Sequence, residues 1–174
     1  MPLLLLLVAA GVLMTIGVGA VIAARGRRQV FEQVKAEVLA QFGDVRAADI
    51  VAAQAVLETG GGATPAWQKG WNFGNVTAGA SWHGPVVEGG DLEYTADGTS
   101  SKRIVQRFRA YTDLRAAVAD FLALLSWSKY RDALAALSRG DATGYASELR
   151  KGGYYTAPLA EYQGGIARAL ADYA

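Results

Sequence analysis

The sequence predicts an α+β domain that is mainly α, with a small β-hairpin lobe, preceded by an N-terminal transmembrane helix. Three observations predict it. Residues 1–24 carry no charged side chain. Apolar residues recur at helical spacing from 29 to 57 and again from 114 to 170. Between Gly60 and Tyr111 that periodicity gives way to Gly, Trp, Ser, Thr and Asn with short alternating runs.

Composition narrows the chemistry. At 174 residues and 52% hydrophobic content, the chain suits one compact domain plus an extra apolar element. It has no cysteine, which excludes a disulfide framework, a thiolate metal site and a cysteine nucleophile. A single histidine, His83, excludes a multi-histidine metal site and reads as a loop residue rather than a catalyst. A net charge of +1, with the signs well mixed, makes no case for nucleic acid as a partner. Neither a metal nor a cofactor is expected.

Residues 1–25 read as a transmembrane anchor, because the uncharged run exceeds the roughly 20 apolar residues a span needs. A cleaved signal peptide is the alternative, although no charged n-region precedes the run. Arg25, Arg27 and Arg28 follow the span, and the positive-inside rule then puts the C-terminal part on the cytoplasmic side. Residues 26–44 read as an amphipathic connecting helix, with Val30, Val34 and Val38 in one apolar row beside Phe31 and Phe42. Gly43 ends it, and Asp44 or Arg46 starts the next helix.

That next helix carries the most telling stretch. Ile50, Val51, Gln54 and Leu57 recur at helical spacing, and the run meets one carboxylate, Glu58, just before Thr59, Gly60, Gly61 and Gly62. Glycines free to take positive φ stop the helix there. Burial at such a helix end disfavours the ionised carboxylate, a state suited to a general acid.

Val86–Glu88 and Leu92–Thr95 read as strands, Ala96–Thr99 as a turn signalled by Asp97–Gly98, and Arg103–Arg109 as the return strand. Thr112 or Asp113 caps a helix whose Leu114, Val118, Phe121, Leu122 and Leu125 make a wide core face. Tyr130, Leu134 and Leu137 mark a further helix ended by Gly140, and Asp141 or Thr143 starts a short one. Pro158 opens the last, with Tyr162, Ile166 and Leu170 facing inward.

A buried helix ending in Glu, a glycine loop, a small hairpin and then several helices resembles the lysozyme-like glycoside hydrolases. The motifs narrow the resemblance to the bacterial glucosaminidase family of flagellar and autolysin peptidoglycan hydrolases. Ala55-Val56-Leu57-Glu58-Thr59-Gly60-Gly61-Gly62 is similar to its Ala-x-x-Glu-Ser/Thr-Gly-x-Gly box, and Asn72-Phe73-Gly74 to its Asn-x-Phe-Gly box. Ser81–Val86 resembles its Trp-x-Gly-Pro stretch, and Leu92-Glu93-Tyr94 the segment bearing its second carboxylate. Arg107–Tyr111 resembles the Phe-Arg-x-Tyr box and Gly153–Pro158 the closing Gly-Tyr-Ala-Thr-Asp-Pro box. The boxes run in order through 45–174, which the resemblance makes a lysozyme-like catalytic domain.

The resemblance implies an endo-β-N-acetylglucosaminidase that cleaves the β-1,4 bond after N-acetylglucosamine in peptidoglycan glycan strands. Glu58 would be the general acid and Glu93, on the β lobe, the second carboxylate, with Glu88, Asp91 and Asp97 as rivals for that part. Tyr154 would line the cleft near the acid; Asn72, Phe73, Trp82 and Tyr155 would hold the sugar. The sequence departs from the family pattern where Gly61 stands for a frequent Trp, Trp71 for the first Asn of its box, and Ala157 for an Asp. The Lys usual after the Asn-x-Phe-Gly box is also missing.

Two other readings stand beside it. One is a lytic transglycosylase or lysozyme-type muramidase that also uses Glu58; the other is a non-catalytic wall-binding or virion structural protein. The expected location is a single-pass membrane protein, in a bacterial inner membrane or a phage particle. Residues 1–24 would touch the bilayer, and the Arg-rich flank leaves orientation open.

Overall fold

The computed structural model describes residues 26–95 and 100–174, and of 91–94 the backbone alone. The expected anchor over 1–25 lies outside them, and among the described residues no helix is long and apolar enough to cross a membrane.

Helix α1 runs through 26–42. Its Val30, Phe31, Val34 and Val38 are at most 2% exposed. Burying side chains of this kind contributes about 1.5–3 kcal/mol each. The helix is therefore more than a connector, and the expected division at residue 44 does not coincide with a break in packing.

Gly43 (φ 80°) separates α1 from α2 (Val45–Glu58), whose N-cap Asp44 accepts a hydrogen bond from Ala47 N at 2.9 Å. Every residue of α2 from Ala47 to Val56, the partly buried Asp49 excepted, is buried. Its alanines let neighbours approach from several sides, and α5 (Arg131–Ser138) and α7 (Leu159–Tyr173) pack on it. One polar side chain sits in this helix interior: Gln54 is fully buried and accepts from Tyr145 Oη at 2.5 Å.

A short helix, α3 (Pro65–Gly70), follows the glycine loop, with Thr64 as its cap and Pro65 in its first turn. The sequence shows no helical period here, since six residues are too few to display one. Trp71 ends α3 in the left-handed region (φ 53°). That conformation costs a bulky residue about 1–2 kcal/mol and is easier for Asn, the family's usual residue there.

The β lobe is two antiparallel strands, β1 (Val86–Tyr94) and β2 (Ser101–Arg109), paired from Val86–Arg109 to Tyr94–Ser101. β1 is one strand, not the two runs expected, because Gly89 and Gly90 continue the ladder opposite Gln106 and Val105. The expected turn at 96–99 lies outside the described residues; at its neck Thr95 N donates to Ser100 O at 2.9 Å.

The helical remainder follows the expected order: α4 (Leu114–Leu125) capped by Asp113, a 3-10 turn at Ser128–Tyr130, α5, α6 (Ala142–Lys151) capped by Asp141, and α7 behind Pro158. Phe121, Leu125, Leu137, Tyr145, Leu149 and Ile166 meet the α1–α2 face in one core. The result is a mainly helical, lysozyme-like body with a two-stranded lobe.

Candidate active site

The end of α2 is built to present one side chain. Thr59 is buried; its hydroxyl donates to Ala55 O at 2.7 Å and accepts from Gly62 N at 3.0 Å. Gly60, Gly61 and Gly62 then take φ of 58°, 73° and 93°, open to glycine and strained for other residues. Gly61 N closes back on Val56 O at 2.9 Å. The chain leaves the helix at once, and Glu58 is left half-buried on the floor of a cleft of about 620 Å³ between the body and β2.

Both carboxylate oxygens of Glu58 accept from neutral donors. Tyr162 Oη donates to Oε1 at 2.6 Å, and Asn75 Nδ2 donates to Oε2 at 3.0 Å and to Glu58 O at 2.8 Å. Sequence reasoning missed both donors. Tyr162 read as an inward-facing core residue of α7, which its 5% exposure bears out, and nothing in the helical period shows that its hydroxyl ends at Glu58. Nothing in the sequence spacing links Asn75 to Glu58. The Asn75 φ of 50° lies in the left-handed region, which Asn tolerates better than most residues.

The segment bearing Asn75 is fastened to the β lobe. Asn72 is 1% exposed; its Nδ2 donates to Val76 O at 2.9 Å and Arg109 O at 2.7 Å, and its Oδ1 accepts from Val76 N at 2.9 Å. Arg109 N donates to Val76 O and Ala78 N to Arg107 O. Arg109 makes a two-pronged bond to Asp120 on α4, at 3.0 and 2.8 Å, and Tyr111 Oη joins the same carboxylate at 2.7 Å. Burial, then the hydrogen bond to Asp120 and that carboxylate's charge, hold the Tyr111 hydroxyl well above the usual phenol range.

These contacts correct several expected roles. Asn72 and Phe73 do not reach the cleft: Asn72 is spent on backbone groups, and Phe73, 1% exposed, packs edge-on to Phe121 at 5.1 Å. Trp82 is also elsewhere. It lies under the Arg109 guanidinium at 4.9 Å and against Tyr111 at 5.6 Å, beside a separate hollow near His83.

Tyr154 and Tyr155 do stand with Glu58 in the cleft wall. Tyr154 Oη donates to Gly74 O, and a Cβ at Gly74 would fall 2.6 Å from that hydroxyl, which is why the box needs glycine there. Tyr155 stacks on Tyr162 at 3.7 Å and 9° and donates to Ala146 O. Burial, then the charge of Glu58, pushes the hydroxyls of Tyr154 and Tyr162 well above the phenol range, so both stay neutral donors at ordinary pH. Tyr155 is pushed up to about 12, chiefly by burial.

The side chain of Glu93 lies outside those described; its backbone pairs with Lys102, two positions along β2 from Ile104, which lines the cleft with Gln106. Asp91 and Asp97, two of its rivals, also fall outside the described side chains, and Glu88 pairs with Arg107, out of step with Ile104 and Gln106. Glu161, in the first turn of α7, lines the cleft as well and was not singled out in the sequence.

A carboxylate held between neutral donors on the floor of a tyrosine-walled cleft is compatible with one of the two carboxyl groups that glycoside hydrolysis uses. The chain belongs to the glucosaminidase family, described as mannosyl-glycoprotein endo-beta-N-acetylglucosaminidase, whose pattern matches residues 34–174. The peptidoglycan hydrolase FlgJ of Salmonella typhimurium is 31% identical over 113 residues, 63% of this chain, and the match spans 34% of that protein's length. A peptidoglycan hydrolase from Sphingomonas sp. A1 is 32% identical, with TM-score 0.56 over 71% of this chain and 73% of its own. The catalytic domain of the Listeria monocytogenes autolysin Auto, at 18% identity, shares the fold, with TM-score 0.61 over 85% of this chain and 84% of that one.

Proposed function

We propose that the protein is an endo-β-N-acetylglucosaminidase that hydrolyses the β-1,4 bond after N-acetylglucosamine in peptidoglycan. The observation that carries this reading is Glu58, half-buried in the cleft with Tyr162 Oη and Asn75 Nδ2 donating to its two carboxylate oxygens. The peptidoglycan hydrolases among the family members it resembles support the choice of substrate.

In this reading Glu58 delivers its proton to the glycosidic oxygen as the bond breaks. The carboxylate left behind is held by Tyr162 Oη and Asn75 Nδ2, whose bonds strengthen as charge develops on it. Tyr154 and Tyr155 wall the cleft. A second carboxylate activates water or steadies the positive sugar ring. Glu93 on the β lobe is the candidate for that part and Glu161 its rival within the cleft. The uncharged stretch over 1–24 would fix the domain at a membrane, and a reporter active only outside the cytoplasm, fused after residue 174, reads its side.

The test uses the full-length protein in detergent on purified peptidoglycan, with new chain ends identified by mass spectrometry. Reducing N-acetylglucosamine ends, absent with Glu58→Gln, are expected. Reducing or anhydro N-acetylmuramic acid ends would move the protein to the muramidase or transglycosylase class. No product from a folded sample would point to a wall-binding or structural role. Glu93→Gln and Glu161→Gln, compared side by side, identify the second carboxylate by which of them abolishes turnover.

A further inference from the structure

The cleft continues past Glu58. Leu57, Gly165 and Arg168 line both it and a second hollow of about 240 Å³, so the two spaces adjoin along α7. The surface they share carries Leu57, laid against Gly165 of α7. A Cβ at Gly165 would come within 2.9 Å of Leu57 Cδ1, and at Gly164 nothing stands within 4 Å. Glycine inside a helix costs about 1 kcal/mol relative to alanine, and at Gly165 the close approach of Leu57 is what requires it.

Beyond that stretch the hollow is cationic. Arg27 reaches it from α1 and Arg168 from α7, against one carboxylate, Asp172. Among the described residues neither arginine is in an ion pair. Arg27 owes its position to a departure from the family pattern. Gly61 stands where Trp is frequent, and a Cβ at Gly61 would collide with Arg27 Cγ. The loss of that side chain is what leaves room for the arginine.

We propose that this hollow is a subsite for a carboxylate on the peptide branches of the glycan, bound by Arg27 and Arg168. The proposal rests on the peptidoglycan reading above. A guanidinium offers a planar fork that matches a carboxylate in two parallel hydrogen bonds. An elongated polymer seated over Glu58 has a side branch to place, and the second hollow adjoins the cleft along α7, across Leu57 and Gly165.

The experiment compares the full-length protein with Arg27→Gln and Arg168→Gln on three substrates. These are peptide-bearing peptidoglycan, the same glycan stripped of peptide by an amidase, and an uncharged N-acetylglucosamine oligomer. Each variant is expected to lower the kcat/KM preference for peptide-bearing over stripped strands by about tenfold, chiefly through KM. Arg→Lys at either position is expected to recover part of it, because charge returns without the fork. An unchanged preference overturns the proposal. So does a preference for stripped strands over the uncharged oligomer that falls instead, since the carboxylate read would then be the lactyl group.

Titration of a soluble muramyl dipeptide, followed by NMR, gives a readout that does not need cleavage. If the folded wild type cut none of the substrates, the glucosaminidase reading would fail. Binding weakened about tenfold in Arg27→Gln would still support the subsite, and equal binding would still overturn it.

Discussion

Replacing Asn75 with glycine removes the amide that holds Glu58 while keeping a residue at ease with φ 50°. Two hydrogen bonds go: one to Glu58 O at 2.8 Å and one to Oε2 at 3.0 Å. In the proposed mechanism the bond to the carboxylate is the one that matters for turnover, because it strengthens as the proton leaves. A hydrogen bond to a charged group is worth about 1.5–3 kcal/mol, so kcat is expected to fall about 10–100-fold with little change in KM. Tyr162 still holds Oε1, which keeps the loss short of that of Glu58→Gln. Asn75→Ala removes the same amide and adds a strained backbone. It should match glycine in turnover yet be about 1 kcal/mol less stable, a lower melting point by about 2–4 °C. The assay is release of reducing ends from peptidoglycan, beside thermal unfolding of the same samples. Wild-type turnover in Asn75→Gly would refute the positioning argument, and equal melting of the two variants would refute the backbone argument.

Other outcomes follow from the same geometry. Tyr162→Phe keeps the stack on Tyr155 and removes the 2.6 Å bond to Glu58, so kcat should drop about tenfold or more while the melting point moves little. Tyr145→Phe should cost about 1–3 kcal/mol, because Gln54 is buried, its Nε2 has no partner, and its Oε1 would lose the one donor shown. The double change Gln54→Met with Tyr145→Phe removes both polar partners and should melt within a few degrees of wild type; denaturant unfolding checks both. Alkali should unfold the domain through its tyrosines. The Tyr155 hydroxyl is pushed up to about 12 and those of Tyr145, Tyr154 and Tyr162 are also raised, so the stabilisation from their neutral forms is complete below the ordinary phenol value and is lost as pH climbs through 12. A melting point that stayed level from pH 9 to 12 would contradict this.

Local chemistry made much of this protein legible in its sequence. Helices α1, α2, α4, α6 and α7 announce themselves by apolar period and by caps such as Asp44, Asp113 and Asp141, which act within a few residues of their own position. The glycine loop after Glu58 is likewise a local fact: φ above zero is a property of single residues, and it marks the place where the chain turns away from Glu58. What the sequence alone could not determine is which distant side chains meet. Asn75 and Tyr162 lie 17 and 104 residues from Glu58, and no period or spacing links them. Asn72, Phe73 and Trp82 sit in boxes that resemble a sugar-binding family, yet Asn72 is spent on the backbone of Val76 and Arg109, Phe73 packs on Phe121, and Trp82 lies against Arg109 and Tyr111. Only tertiary packing decides whether a polar or aromatic side chain faces substrate or structure, because both uses demand the same residue types.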